Sequence, residues 1–75
     1  MKYNWEIVHE SDDETGNPTC WSAQIDSEQY GKYVWITHNS EGLYDVEVKS
    51  FDDFNVLVSC KSLASAKRWV TMNIH

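Results

Sequence analysis

The side chains able to do chemistry in this chain are two cysteines, Cys20 and Cys60, three histidines, His9, His38 and His75, and twelve acids. Nucleophilic catalysis needs a thiolate beside a base, with a third group orienting that base. The spacing leaves Cys20 free to approach His9 or His38 in space, but a short sheet domain has little room for the concave pocket a substrate needs. For metal binding, the two cysteines stand too far apart in sequence, and no histidine has a His or Cys neighbour at a ligand spacing. The run Glu10, Asp12, Asp13 and Glu14 offers oxygens, yet a calcium loop also needs a turn glycine and a distal bidentate carboxylate. Gly16 falls at the wrong offset, and no Glu stands in the distal place. Gly16, Gly31 and Gly42 are scattered over separate turns, so no phosphate cradle is expected either. These residues predict a non-enzyme with no metal and no cofactor.

Charge says more about partners. Residues 1–30 carry seven acids against Lys2, for a net −6, and residues 31–60 carry five against Lys32 and Lys49, for −3. Residues 61–75 carry Lys61, Lys67 and Arg68 with no acid, for +3, and the whole chain stands at −6. A field of that sign repels phosphate and membrane surfaces and attracts basic protein surfaces. No segment reaches the ~18 apolar residues of a membrane span, and residues 1–10 hold no apolar run of the kind a signal peptide needs. A cytoplasmic protein with two free thiols is the expectation; a bridge from the second strand to the last is the alternative.

The elements that would position these groups follow from periodicity. Seventy-five residues, 41% hydrophobic, make one domain over residues 1–75 with a small core. Four Trp, four Tyr and two Phe suit such a core, because each ring removes a large area from water. Alternation predicts strands over 3–9, 20–26, 33–38, 43–50 and 54–60, separated by turn-forming clusters. Ser62 then reads as a helix N-cap, with Leu63, Ala66, Val70 and Ile74 on one face and Trp69 beside them. Lys67, Arg68 and Thr71 point away, and the basic final stretch suits the negative end of the helix dipole. The short turns favour an α+β fold: a mainly antiparallel β-meander of four to five strands, with one C-terminal α-helix packed on one face.

In the simplest registration Trp5, Ile7, Trp21, Ala23, Ile25, Val46 and Val48 meet the helix. Glu6, Ser22, Gln24, Asp45, Glu47 and Lys49 then face water. Strand three is apolar on both faces, so either Val34 and Ile36 or Tyr33 and Trp35 turn inward. An aromatic pair on a wet face would suit a protein-binding hot spot.

Two pieces carry a resemblance. The strand Trp21-Ser-Ala-Gln-Ile25, the Gly31-Lys32 turn and the helix opening Ser62-Leu63-Ala-Ser-Ala66-Lys67-Arg68-Trp69 resemble the AP2-like and arm-type DNA-binding modules of phage integrases. That resemblance implies a small sheet backed by one helix, and a mobile-element origin. It also implies DNA reading by a basic sheet, which Asp45, Glu47 and the acidic loops contradict, because affinity for DNA comes from Lys and Arg on phosphates. No direct binding to duplex DNA is expected. In type, a small acidic sheet domain without a site is similar to phage-encoded anti-CRISPR proteins, several of which present carboxylates in place of phosphates. This likeness implies an inhibitor of a nucleic-acid-binding defence effector, such as a CRISPR effector or other nuclease, working in the host cytoplasm. The partner-binding residues it implies are Asp12, Asp13, Glu14, Tyr33, Trp35, Asp45, Glu47, Asp52 and Asp53. The alternatives are a non-catalytic interaction module or regulatory subunit, and a degenerate DNA-binding module that relies on Lys61, Lys67 and Arg68.

Overall fold

The computed structural model describes residues 3–8, 14–50 and 53–74. His9, Asp12, Asp13, Asp52 and His75 lie outside the described residues. The strands are β1 (Glu6–Ile7), β2 (Cys20–Ser27), β3 (Gly31–His38), β4 (Tyr44–Ser50) and β5 (Asp53–Cys60), and the helix α1 spans Leu63–Asn73. They form one antiparallel sheet in the order β1-β2-β3-β4-β5. The helix lies against β3, β4 and β5. This is the α+β meander that alternation and short turns predict.

Two turns show why the strands stop where they do. Asn39 accepts on Oδ1 from the amides of Glu41 and Leu43, both at 2.9 Å, and closes the β3–β4 connection. Gly42 takes φ +81° there, a left-handed conformation that a side chain would strain. Between β2 and β3 the buried Ser27 hydroxyl accepts from the amides of Gln29 and Tyr30, which satisfies an otherwise costly polar atom.

The centre of the core is aliphatic. Val34, Ile36, Val46, Ala66 and Val70 are fully buried, with Ala23, Ile25, Val48 and Ile74 close around them. Trp5, Trp21 and Trp69 are only half-buried and pack around this centre rather than filling it. A helix resting on a sheet leaves room in the middle for Val, Ile and Ala, while rings seal the open sides. Strand three thus turns Val34 and Ile36 inward and leaves Tyr33 and Trp35 on the far face.

Three expectations are corrected. The first strand is two residues long rather than seven, and Ile7 is exposed instead of meeting the helix. Tyr3 and Trp5 leave the ladder for the helix flank: Tyr3 donates its hydroxyl to the Ile74 carbonyl at 2.9 Å, and both rings lie beside Lys67 and Thr71. Two large apolar rings gain more from that flank than from an edge ladder. The third correction concerns the helix dipole. Ser62 caps the N-terminus by accepting from the Ser65 amide at 3.1 Å, as its position predicts. The last turn, however, holds no basic residue, because Lys67 and Arg68 fall in mid-helix. The dipole is therefore not offset in the way the basic stretch suggests.

A bulge shapes β5. Val58 pairs with Val46, but Val56 pairs with Glu47, so Leu57 is the extra residue. The bulge reverses the facing of everything before it. Val58 and Cys60 turn toward the helix, while Phe54 and Val56 turn to the uncovered side.

Candidate functional site

The register builds the uncovered face row by row. Glu6, Ser22, Trp35, Glu47 and Val56 are successive cross-strand partners. Cys20, Thr37, Asp45 and Ser59 form the row on one side, and Lys49 and Phe54 are partners on the other. In the middle stands an aromatic cluster. Trp35 meets Phe54 edge-on, with ring centroids 5.1 Å apart, and lies 6.1 Å from Tyr33. Tyr33, Phe54 and Val56 are exposed by 41%, 53% and 53%, which makes this a continuous apolar surface rather than a second core. Lys32 and Lys49 place their ammonium groups 5.8 Å and 6.0 Å from the Tyr33 and Phe54 rings, within cation–π range.

The acids beside the cluster are held in place. Thr37 donates from Oγ1 to Glu47 at 2.6 Å. Asp45 accepts from Ser59 Oγ at 2.5 Å and from Asn39 Nδ2 at 3.1 Å. Both carboxylates are half-buried, and the hydroxyl and amide groups that hold them are neutral donors with no cation among them. Cys20 sits on the same face but is buried at its edge, where burial pushes the thiol up from its ordinary value. The Thr37 hydroxyl bonded to it pulls the other way, and the nearby Glu47 charge adds to the rise. Cys60 is on the helix side, in register with Tyr44, and both thiols are free.

Of the residues expected to meet a partner, Tyr33, Trp35, Asp45 and Glu47 come together on this face. Glu14 is exposed in the loop before β2, off the ladder, and Asp53 opens β5 at the end of the sheet away from Asp45. Phe54, Val56 and Lys49 belong to the surface as well, although sequence reasoning did not name them as partner-binding. The facing of Lys49 follows from simple alternation. That of Phe54 and Val56 depends on the bulge at Leu57, which no residue type announces.

An open groove of about 720 Å³ lies where residues 3–5 leave β2, and its ionisable lining groups are Tyr3, Glu6, Asp26 and Tyr33. Neither cysteine lines it. Among the described residues no three His, Cys, Asp or Glu side chains cluster as metal ligands, and no described helix is long and apolar enough to cross a membrane. Comparison with protein-family models, curated proteins and solved structures gave no match for this chain.

Proposed function

We propose that this domain is a non-catalytic protein-binding inhibitor that docks through the uncovered face of its sheet on the basic surface of a nucleic-acid-binding protein. The carrying observation is the juxtaposition of an exposed aromatic cluster, Tyr33–Trp35–Phe54, with the anchored carboxylates of Glu47 and Asp45. Aromatic anchors supply most of the binding energy at hot spots, and flanking charges set orientation and association rate. A net charge of −6 favours a cationic partner. A phage or mobile-element inhibitor of an RNA-guided CRISPR nuclease in the host cytoplasm fits that size and sign. In this reading Asp45 and Glu47 stand opposite Lys or Arg that otherwise bind phosphate, with Glu14, Asp53, Asp12, Asp13 and Asp52 adding to the field.

A second reading, an interaction module or regulatory subunit with another kind of partner, draws on the same cluster, because an apolar anchor is indifferent to what its partner does. A panel of purified guide-loaded CRISPR nucleases, assayed for target cleavage with added domain, separates the two. Inhibition of at least one, lost in Trp35→Ala and in the double variant Asp45→Lys/Glu47→Lys, is the expected result. No inhibition anywhere, together with binding of an unrelated protein through Trp35, would transfer the proposal to the module.

A further inference from the structure

We propose that two copies of this chain pair through the uncovered face, strand over strand, about a two-fold axis crossing the strands between the Glu47 row and the Lys49 row. The inference goes beyond the partner reading, since it concerns what covers the face when no other protein does.

The register carries it. Val34 pairs with Val48, so one step along the ladder Tyr33 stands beside Lys49. One row of the face therefore reads Gln24, Tyr33, Lys49, Phe54, and the next reads Ser22, Trp35, Glu47, Val56. A two-fold axis lying in the interface between these rows sets each row of one copy over the other row of its mate. Gln24 then meets Ser22, Tyr33 meets Trp35, Lys49 meets Glu47, and Phe54 meets Val56. Polar falls on polar, ring on ring, cation on anion and apolar on apolar, as an isologous contact requires. Shifting the axis onto the Glu47 row would set Glu47 against its own copy, so charge selects the register. Sheets that pack face to face in this way are a stable arrangement for apolar inner surfaces.

Magnitude limits the strength. The surface is three rows deep, and strands lie about 4.8 Å apart, which keeps the contact below the roughly 800 Å² per partner of a standard interface. Two copies at −6 also repel over a distance. Asp26 and Asp53 flank the Lys49 end, although Asp26 is engaged by Gln24 Nε2 at 2.8 Å. A weak dimer, half-formed on the order of 0.1 mM, is the expectation.

Sedimentation equilibrium up to about 1 mM tests this with Lys49→Glu, Glu47→Lys and the double swap. Each single variant should raise the dimer dissociation constant at least about tenfold, and the double should return it to within about threefold of the parent. If Glu47→Lys fails to fold for want of the Thr37 hydrogen bond, Glu47→Gln takes its place, and Lys49→Glu/Glu47→Gln should recover most of what Lys49→Glu loses. A chain monomeric throughout, or a double variant as weak as the singles, overturns the proposal. Partner binding is measured apart, on the parent chain kept far below the dimer dissociation constant. A chain that binds the partner but stays monomeric, or pairs but binds no partner, separates the two uses of this one face, and failure of one leaves the other standing.

Discussion

Trp35 and Glu47 are cross-strand partners at the middle of the sheet face that the helix leaves bare, and each is fixed from outside the pair. Phe54 meets the Trp35 ring edge-on, and Thr37 holds the Glu47 carboxylate. The pair joins an apolar anchor to a charge on a rigid ladder, the arrangement a docking site needs to avoid losing side-chain freedom on binding.

That placement separates stability from binding. Replacing Trp35 with Ala forfeits edge contacts worth about 0.5–1.5 kcal/mol per aromatic pair, on a half-exposed face. Ile36→Ala, one residue on and fully buried, should cost about 2–5 kcal/mol. Urea unfolding of both variants checks the order. An equal loss would mean that the outer cluster is core.

Most of the architecture was legible because two periods are unambiguous. Val46 and Val48 against Asp45, Glu47 and Lys49 define β4 and its facing at once, and Leu63, Ala66, Val70 and Ile74 define the helix stripe. The acids of the site, Asp45 and Glu47, followed from the same alternation. The rest depended on events that side-chain type does not encode. In Phe54-Asn-Val-Leu-Val58, unbroken alternation would put Phe54, Val56 and Val58 on one face, and the bulge at Leu57 divides them. Tyr3 and Trp5 keep the strand-like pattern of Tyr3-Asn-Trp-Glu-Ile7, yet the competing helix flank claims them.

The tie from Tyr3 to the Ile74 carbonyl joins the two ends of the described chain. Tyr3→Phe keeps the ring and removes the donor, so it should cost about 0.5–1.5 kcal/mol. Hydrogen exchange should show the helix C-terminus opening more readily in that variant, with the amide of Ile74, which bonds to Val70, as the reporter. No change there would mean that the bond adds nothing to the helix end.

The helix start has its own test. Ser62→Ala removes the acceptor for the Ser65 amide and should cost about 1 kcal/mol, whereas Ser62→Asp should hold near the parent. Thermal unfolding of both variants measures the difference.

The cysteines give a pH dependence. Burial keeps the Cys20 thiol protonated above its ordinary range in the folded chain. A thiol whose pKa is higher folded than unfolded contributes stability that is intact below the unfolded value and lost as pH rises through the folded one. Stability should therefore fall on the alkaline side, from about pH 9 upward, and Cys20→Ala should flatten that part of the profile. Alkylation near pH 8 should label Cys60, which is less buried, before Cys20. Labelling in the reverse order would contradict the burial of Cys20.

The four indoles test the central claim, because Trp35 alone among them faces away from the helix, while Trp5, Trp21 and Trp69 pack against the core. The measurement is an amide-nitrogen NMR spectrum of the labelled domain, kept dilute and titrated with whichever nuclease of the cleavage panel responds to it. The Trp35 indole signal and the β3 and β4 amides around Glu47 should shift or broaden first, with the other three indoles unmoved. A shift confined to Trp69 and the helix amides, with Trp35 unchanged, would contradict the account and leave the basic helix as the working surface.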